Sequence, residues 1–97
     1  MKLRQLREEL FSACRRAAFR ALPPTESAKY GTLGLGLFAV ACEYAGLTTA
    51  EIAAWQEGWL LVPIDKRALL LEAWRSVRDG DALALAWTET ARERMGL

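Results

Sequence analysis

Leu3, Leu6, Leu10, Cys14, Ala17 and Ala21 recur at steps of three and four residues, the spacing that places side chains on one face of an α-helix. Glu8, Ser12, Arg15 and Phe19 fall on the opposite side. The spacing predicts a first helix from about Lys2 to Ala21. Pro23 and Pro24 stop it, because proline cannot donate to the helical ladder and disfavours helical backbone in the residue before it.

The same period governs the rest of the chain. Thr25 or Ser27 is placed to cap a second helix that reaches Ala45 and ends on Gly46. Nearly every position of that helix is apolar; Lys29, Thr32, Gly36, Ala39 and Glu43 form its narrow small or polar strip, so it is expected at the centre of the fold. Gly31, Gly34 and Gly36 each lower helix propensity by about 1 kcal/mol relative to alanine, which close approach of a neighbouring helix would offset.

Thr48-Thr49-Ala50-Glu51 reads as a capping box, with Leu47 and Ile52 positioned to staple across it. A third helix is expected from Thr49 to Gly58, followed by an apolar connector from Trp59 to Pro63. Asp65 is expected to cap a fourth helix running to Asp79, with Leu70, Ala73, Trp74 and Val77 inward. Gly80 ends it, and Asp81 caps a fifth from Ala82 to Met95 with Leu83, Ala86, Trp87, Thr90 and Ala91 inward.

No stretch alternates with period two, and two isoleucines and three valines are too few for a sheet. The expected fold is all-α: a single compact domain of about five helices spanning residues 1–97, bundle-like or orthogonal. At 53% apolar residues the chain carries more apolar surface than one small core usually needs, so self-association as a homodimer through Trp59 to Val62 is one way to cover it.

Charge is unevenly spread. Residues 1–22 hold six basic side chains against two acidic ones, and residues 23–97 hold seven against ten. A basic amphipathic helix joined to a mildly acidic body points to an acidic protein or a nucleic acid as partner. Arg15, Arg16 and Arg20 are the basic positions expected to meet it. The plainer alternative is a solvated helix whose arginine stems cover apolar surface and whose charges pair with Glu8 and Glu9.

Several chemistries are excluded by what is missing. There is no histidine, so the commonest general base and metal ligand is absent, and Cys14 and Cys42 alone cannot build a structural zinc site. Ser12, Ser27 and Ser76 have no histidine to activate them. The glycines between Tyr30 and Phe38 match no phosphate-binding pattern. No catalytic residue, cofactor or metal is assigned. Cys14 and Cys42 read as buried thiols of a reducing compartment, a disulfide between the first two helices being the alternative.

Residues 1–22 lack the apolar centre of a secretory signal, and Glu8 and Glu9 sit badly in an organellar presequence. The longest uncharged run, Tyr30 to Cys42, is too short to span a bilayer. A soluble, cytoplasmic protein with no membrane partner is expected. Ten arginines to three lysines and no asparagine fit GC-rich coding, as in many bacteria and their phages.

Leu47 to Arg78 resembles a helix-turn-helix in the spacing of Ala54 and Gly58. It departs from that motif in Pro63, in Arg67 at a position that should be apolar, and in a long connector. Lys66, Arg67, Arg75 and Arg78 would serve a nucleic-acid-binding protein, which is the alternative reading. The leading expectation is a non-catalytic protein-binding module. It would dock through Arg15, Arg16, Arg20, Trp55, Trp59 and Leu61 on a larger macromolecular machine and modulate it, as a phage-encoded inhibitor of a host defence complex does.

Overall fold

The apolar stripes assemble as an all-α domain. The computed structural model describes residues 1–58 and 62–97, which form α1 (Leu3–Ala21), a 3-10 segment (Pro24–Lys29), α2 (Tyr30–Tyr44), α3 (Thr49–Gln56), α4 (Ile64–Asp79) and α5 (Ala82–Met95). α1 lies against α2 and α4, α2 also packs along α5, and the short α3 rests mainly on α2. The radius of gyration, 12.6 Å, is that of a compact domain of this length. Among the described residues no helix is long and apolar enough to cross a membrane.

Three contacts fix the register of α1 on α2. Phe11 stacks on Phe38 with ring centroids 4.2 Å apart, a Cβ built on Gly34 would lie 3.6 Å from the Cα of Arg15, and Phe19 meets Tyr30 at 4.3 Å. As α1 advances by four residues α2 retreats by four, so the two helices run antiparallel. α4 runs the other way: Leu3 and Leu6 share one hollow with Arg67, Ala68 and Leu71, while Ala17 and Ala21 share another with Val77 and Gly80. α1 and α4 are therefore parallel neighbours, and the two flanks of α1 face different helices.

The core is built from Leu6, Leu10, Cys14, Leu33, Leu37, Phe38, Trp55, Leu70 and Val77, all buried. Phe38 continues from Phe11 to Trp55, whose ring lies 5.4 Å away, so one aromatic row ties α1, α2 and α3 together. The capping box at α3 is present as read: the Thr48 side chain accepts from the Glu51 amide at 3.1 Å and Glu51 accepts from the Thr48 amide at 2.9 Å. α2 ends as expected, Gly46 adopting φ +86 while Leu47 N–H donates to the Cys42 carbonyl.

Local details differ from the sequence expectations, each for a physical reason. Neither Thr25 nor Ser27 caps α2, because Pro24 starts a tight 3-10 turn and a kink at Glu26 hands the chain to a helix that begins at Tyr30 without a side-chain cap. Asp65 does not cap α4. Pro63 is extended, the helix begins at Ile64, and Asp65 sits inside the first turn, where a carboxylate meets the positive end of the helix dipole.

The buried face of α5 is Ala84, Trp87, Thr88 and Ala91, rotated from the expected set, so Leu83 and Leu85 are exposed and Thr90 is only half-buried. At Gly36 α2 comes close to α5, a Cβ there reaching 3.6 Å from that of Ala91, Tyr44 meets Trp87 at 4.9 Å, and Leu83 and Leu85 are turned aside. Trp74 is half-buried rather than in the core, with the Arg78 guanidinium 4.7 Å above its ring.

Both cysteines are free and fully buried. Burial pushes the Cys14 thiol up to about 12, and Cys42 is raised in the same way. In the folded protein neither thiol is expected to react measurably with a thiol reagent near pH 8, whereas both react at once in strong denaturant; rapid labelling of the native chain would contradict this packing.

Candidate functional site

The folded chain sharpens the charge asymmetry of its sequence. Beyond α1, Lys29 pairs with Glu26 at 3.5 Å, Lys66 with Glu51 at 3.0 Å, Arg78 with Asp79 at 2.8 Å, Arg92 with Glu89 at 3.7 Å and Arg94 with Glu43 at 2.8 Å. These pairs leave their mark on the acids. The Thr48 amide and then the Lys66 ammonium hold Glu51 below the usual carboxylate range, and the Arg94 guanidinium does the same for Glu43.

On α1 the pattern reverses. Arg4 reaches Glu8 at 3.9 Å, and Arg7 donates to the Trp55 carbonyl at 3.2 Å. Lys2, Arg15, Arg16 and Arg20 are exposed and meet no acidic partner among the described residues. The expectation that Glu8 and Glu9 neutralise this helix therefore holds only at Arg4.

The singled-out residues do not converge on one spot. Arg15 lies on the flank of α1 that faces α2. Arg16 and Arg20 lie on the other flank, at 100° per residue, and Arg20 lines a hollow of about 390 Å³ with Val77, Asp79 and Leu85. Trp55, expected to dock, is wholly buried and offers a partner no surface, because the row from Phe11 through Phe38 draws it into the core. Trp59 and Leu61 lie outside the described residues.

The basic set on α4 divides as well. Lys66 and Arg78 are held by Glu51 and Asp79, leaving Arg67 and Arg75 exposed without an acidic partner among the described residues. Among the described residues α3 packs mainly on α2 and meets α4 through the Glu51–Lys66 pair.

No protein-family model, curated protein or solved structure matches this chain.

Sequence reasoning missed one feature of the surface. Arg7, Phe11, Arg15 and Phe19 are four residues apart and form a single ridge along α1, alternating guanidinium and phenyl for about 18 Å. Beside it run two adjoining hollows. One, of about 340 Å³, is lined by Phe11, Arg15, Ala28, Gly31, Gly34 and Leu35; the other, of about 370 Å³, by Arg7, Glu8, Phe11, Ser12, Arg15 and Gln56. Phe19 is 60% exposed and Leu35 49%, large values for such side chains. The signal was present in the four-residue spacing, but Phe19 read simply as a residue outside the apolar stripe.

The ridge and trough carry the chemistry of binding. Arg15 supplies a planar cationic fork and Phe11, Phe19 and Leu35 supply apolar contact. Among the described residues no group of three or more Cys, Asp or Glu is arranged to hold a metal ion.

Proposed function

We propose that this protein is a non-catalytic docking module that binds an acidic surface of a larger protein assembly through α1. One observation carries this reading: five of the seven cations beyond α1 are ion-paired, while Arg15, Arg16 and Arg20 stand exposed without an acidic partner among the described residues. Unpaired cations on a folded surface attract opposite charge, speed encounter and orient the complex. The exposed Phe19 beside them supplies the apolar contact that charge alone does not.

Occupying a surface is enough to modulate a macromolecular machine. Inhibition of a host defence complex by a phage protein would be one such setting.

The test is affinity capture from lysate of the encoding organism, after nuclease treatment, with the wild-type chain and with Arg15→Glu, Arg16→Glu and Arg20→Glu combined. A protein that survives nuclease and is recovered about tenfold less by the triple variant supports the reading. Recovery of nucleic acid alone, lost as salt rises, replaces it with nucleic-acid binding. Equal recovery of the same protein by both forms removes α1 from the interface.

A further inference from the structure

We propose that the trough along α1, bounded by Gly31 and Leu35 of α2 and by Gln56 of α3, receives one amphipathic helix of the partner protein, with a carboxylate seated on Arg15 between two apolar side chains, one contacting Phe11 with Leu35 and the other Phe19. The inference rests on the protein-docking reading above and specifies its occupant.

Three features argue for this occupant. The ridge from Arg7 to Phe19 is about 18 Å long, three turns of helix, which suits a helix laid alongside. The wall opposite is low: a Cβ built on the exposed Gly31 meets nothing within 4 Å, so another backbone has room to come close. The charge of the trough is also small and local. Arg7 is committed to the Trp55 carbonyl and Glu8 stands near Arg4, leaving Arg15 as the cation in the trough without a partner among the described residues.

A polyanion needs a cation for each phosphate it places, and one arginine between apolar contacts does not provide that series. A peptide helix with one carboxylate flanked by apolar residues does match it. Within the chain itself, α4 carries Asp65, Leu69 and Glu72 on one face, but in the order acid, apolar, acid, the reverse of one carboxylate flanked by apolar residues.

The test uses the full chain and a fluorescein-labelled, helix-forming peptide with leucine, glutamate and leucine at four-residue spacing on one face, followed by fluorescence anisotropy. Binding is expected, weakened about tenfold or more by Arg15→Glu and by Gly31→Leu, and changed by no more than about twofold by Arg75→Glu, which makes the same charge change on α4. Gly31→Leu fills the trough without touching a charge, and circular dichroism confirms that each variant is folded.

Absence of peptide binding overturns the proposal. So does binding that ignores Gly31→Leu, or that Arg75→Glu weakens as strongly as Arg15→Glu; diffuse attraction then remains and the docking reading of α1 survives without its groove. Displacement of the peptide by a single-stranded oligonucleotide, abolished by Gly31→Leu, would assign the trough to nucleic acid. Dimerisation of the free protein, abolished by Gly31→Leu in sedimentation, would assign it to a second copy. If the capture experiment fails while the peptide still binds, the partner surface is wrong and the trough is not.

Discussion

Replacing Trp55 with alanine removes about 3–5 kcal/mol of stability, enough to leave a domain of this size marginal or unfolded at room temperature. The side chain is fully buried at the end of the row that begins with Phe11 and Phe38, so its loss leaves a cavity among three helices. Trp55→Phe costs much less. It keeps a ring against Phe38 and deletes the indole N–H, which is buried without a hydrogen-bond partner among the described residues. Phe19→Ala, on the exposed ridge, gives up little beyond its contact with Tyr30 and costs about 0.5–1.5 kcal/mol. Urea denaturation of the three variants checks the ranking; a Trp55→Ala chain as stable as Phe19→Ala would mean that this aromatic row does not hold the core.

The same substitution at two glycines of one helix is expected to act with opposite signs. Gly34→Leu destabilises by roughly 1–3 kcal/mol or more, because its Cβ would already lie 3.6 Å from the Arg15 backbone and the rest of the side chain must push α1 away. The Phe11–Phe38 and Phe19–Tyr30 contacts on either side of that point would be pried apart with it. Gly31→Leu, three residues earlier, meets open space and replaces a poor helix former with a good one, a gain of up to about 1 kcal/mol. Thermal or urea unfolding distinguishes the two. Equal destabilisation would show that α1 lies along both glycines, which would also close the trough.

The glycines illustrate how far a linear reading reaches. Gly31, Gly34 and Gly36 look alike in sequence, all invitations to close helix contact. Gly34 and Gly36 receive a neighbour, α1 and α5 respectively, while Gly31 faces a hollow. The helical period cannot separate them, since it fixes which residues share a face and says nothing about which face finds a partner.

The arginines make the same point for the surface. Residues 1–22 are basic by composition, but whether that charge is free depends on carboxylates distant in sequence: Arg94 finds Glu43 and Lys66 finds Glu51 only after folding. Arg15 and Arg16, adjacent in the chain, point about 100° apart around α1, so that Arg15 lies against α2 while Arg16 is exposed on the other flank.

Local chemistry therefore decided the elements. The three- and four-residue spacing, the capping box at Thr48, the proline pair after Leu22 and the terminating Gly46 and Gly80 act within a few residues, and they set helices close to where they are found. Burial of Trp55, the outward turn of Leu83 and Leu85, and the trough beside Phe11 and Arg15 were decided only by packing, because each depends on the side chains that another helix brings within contact distance.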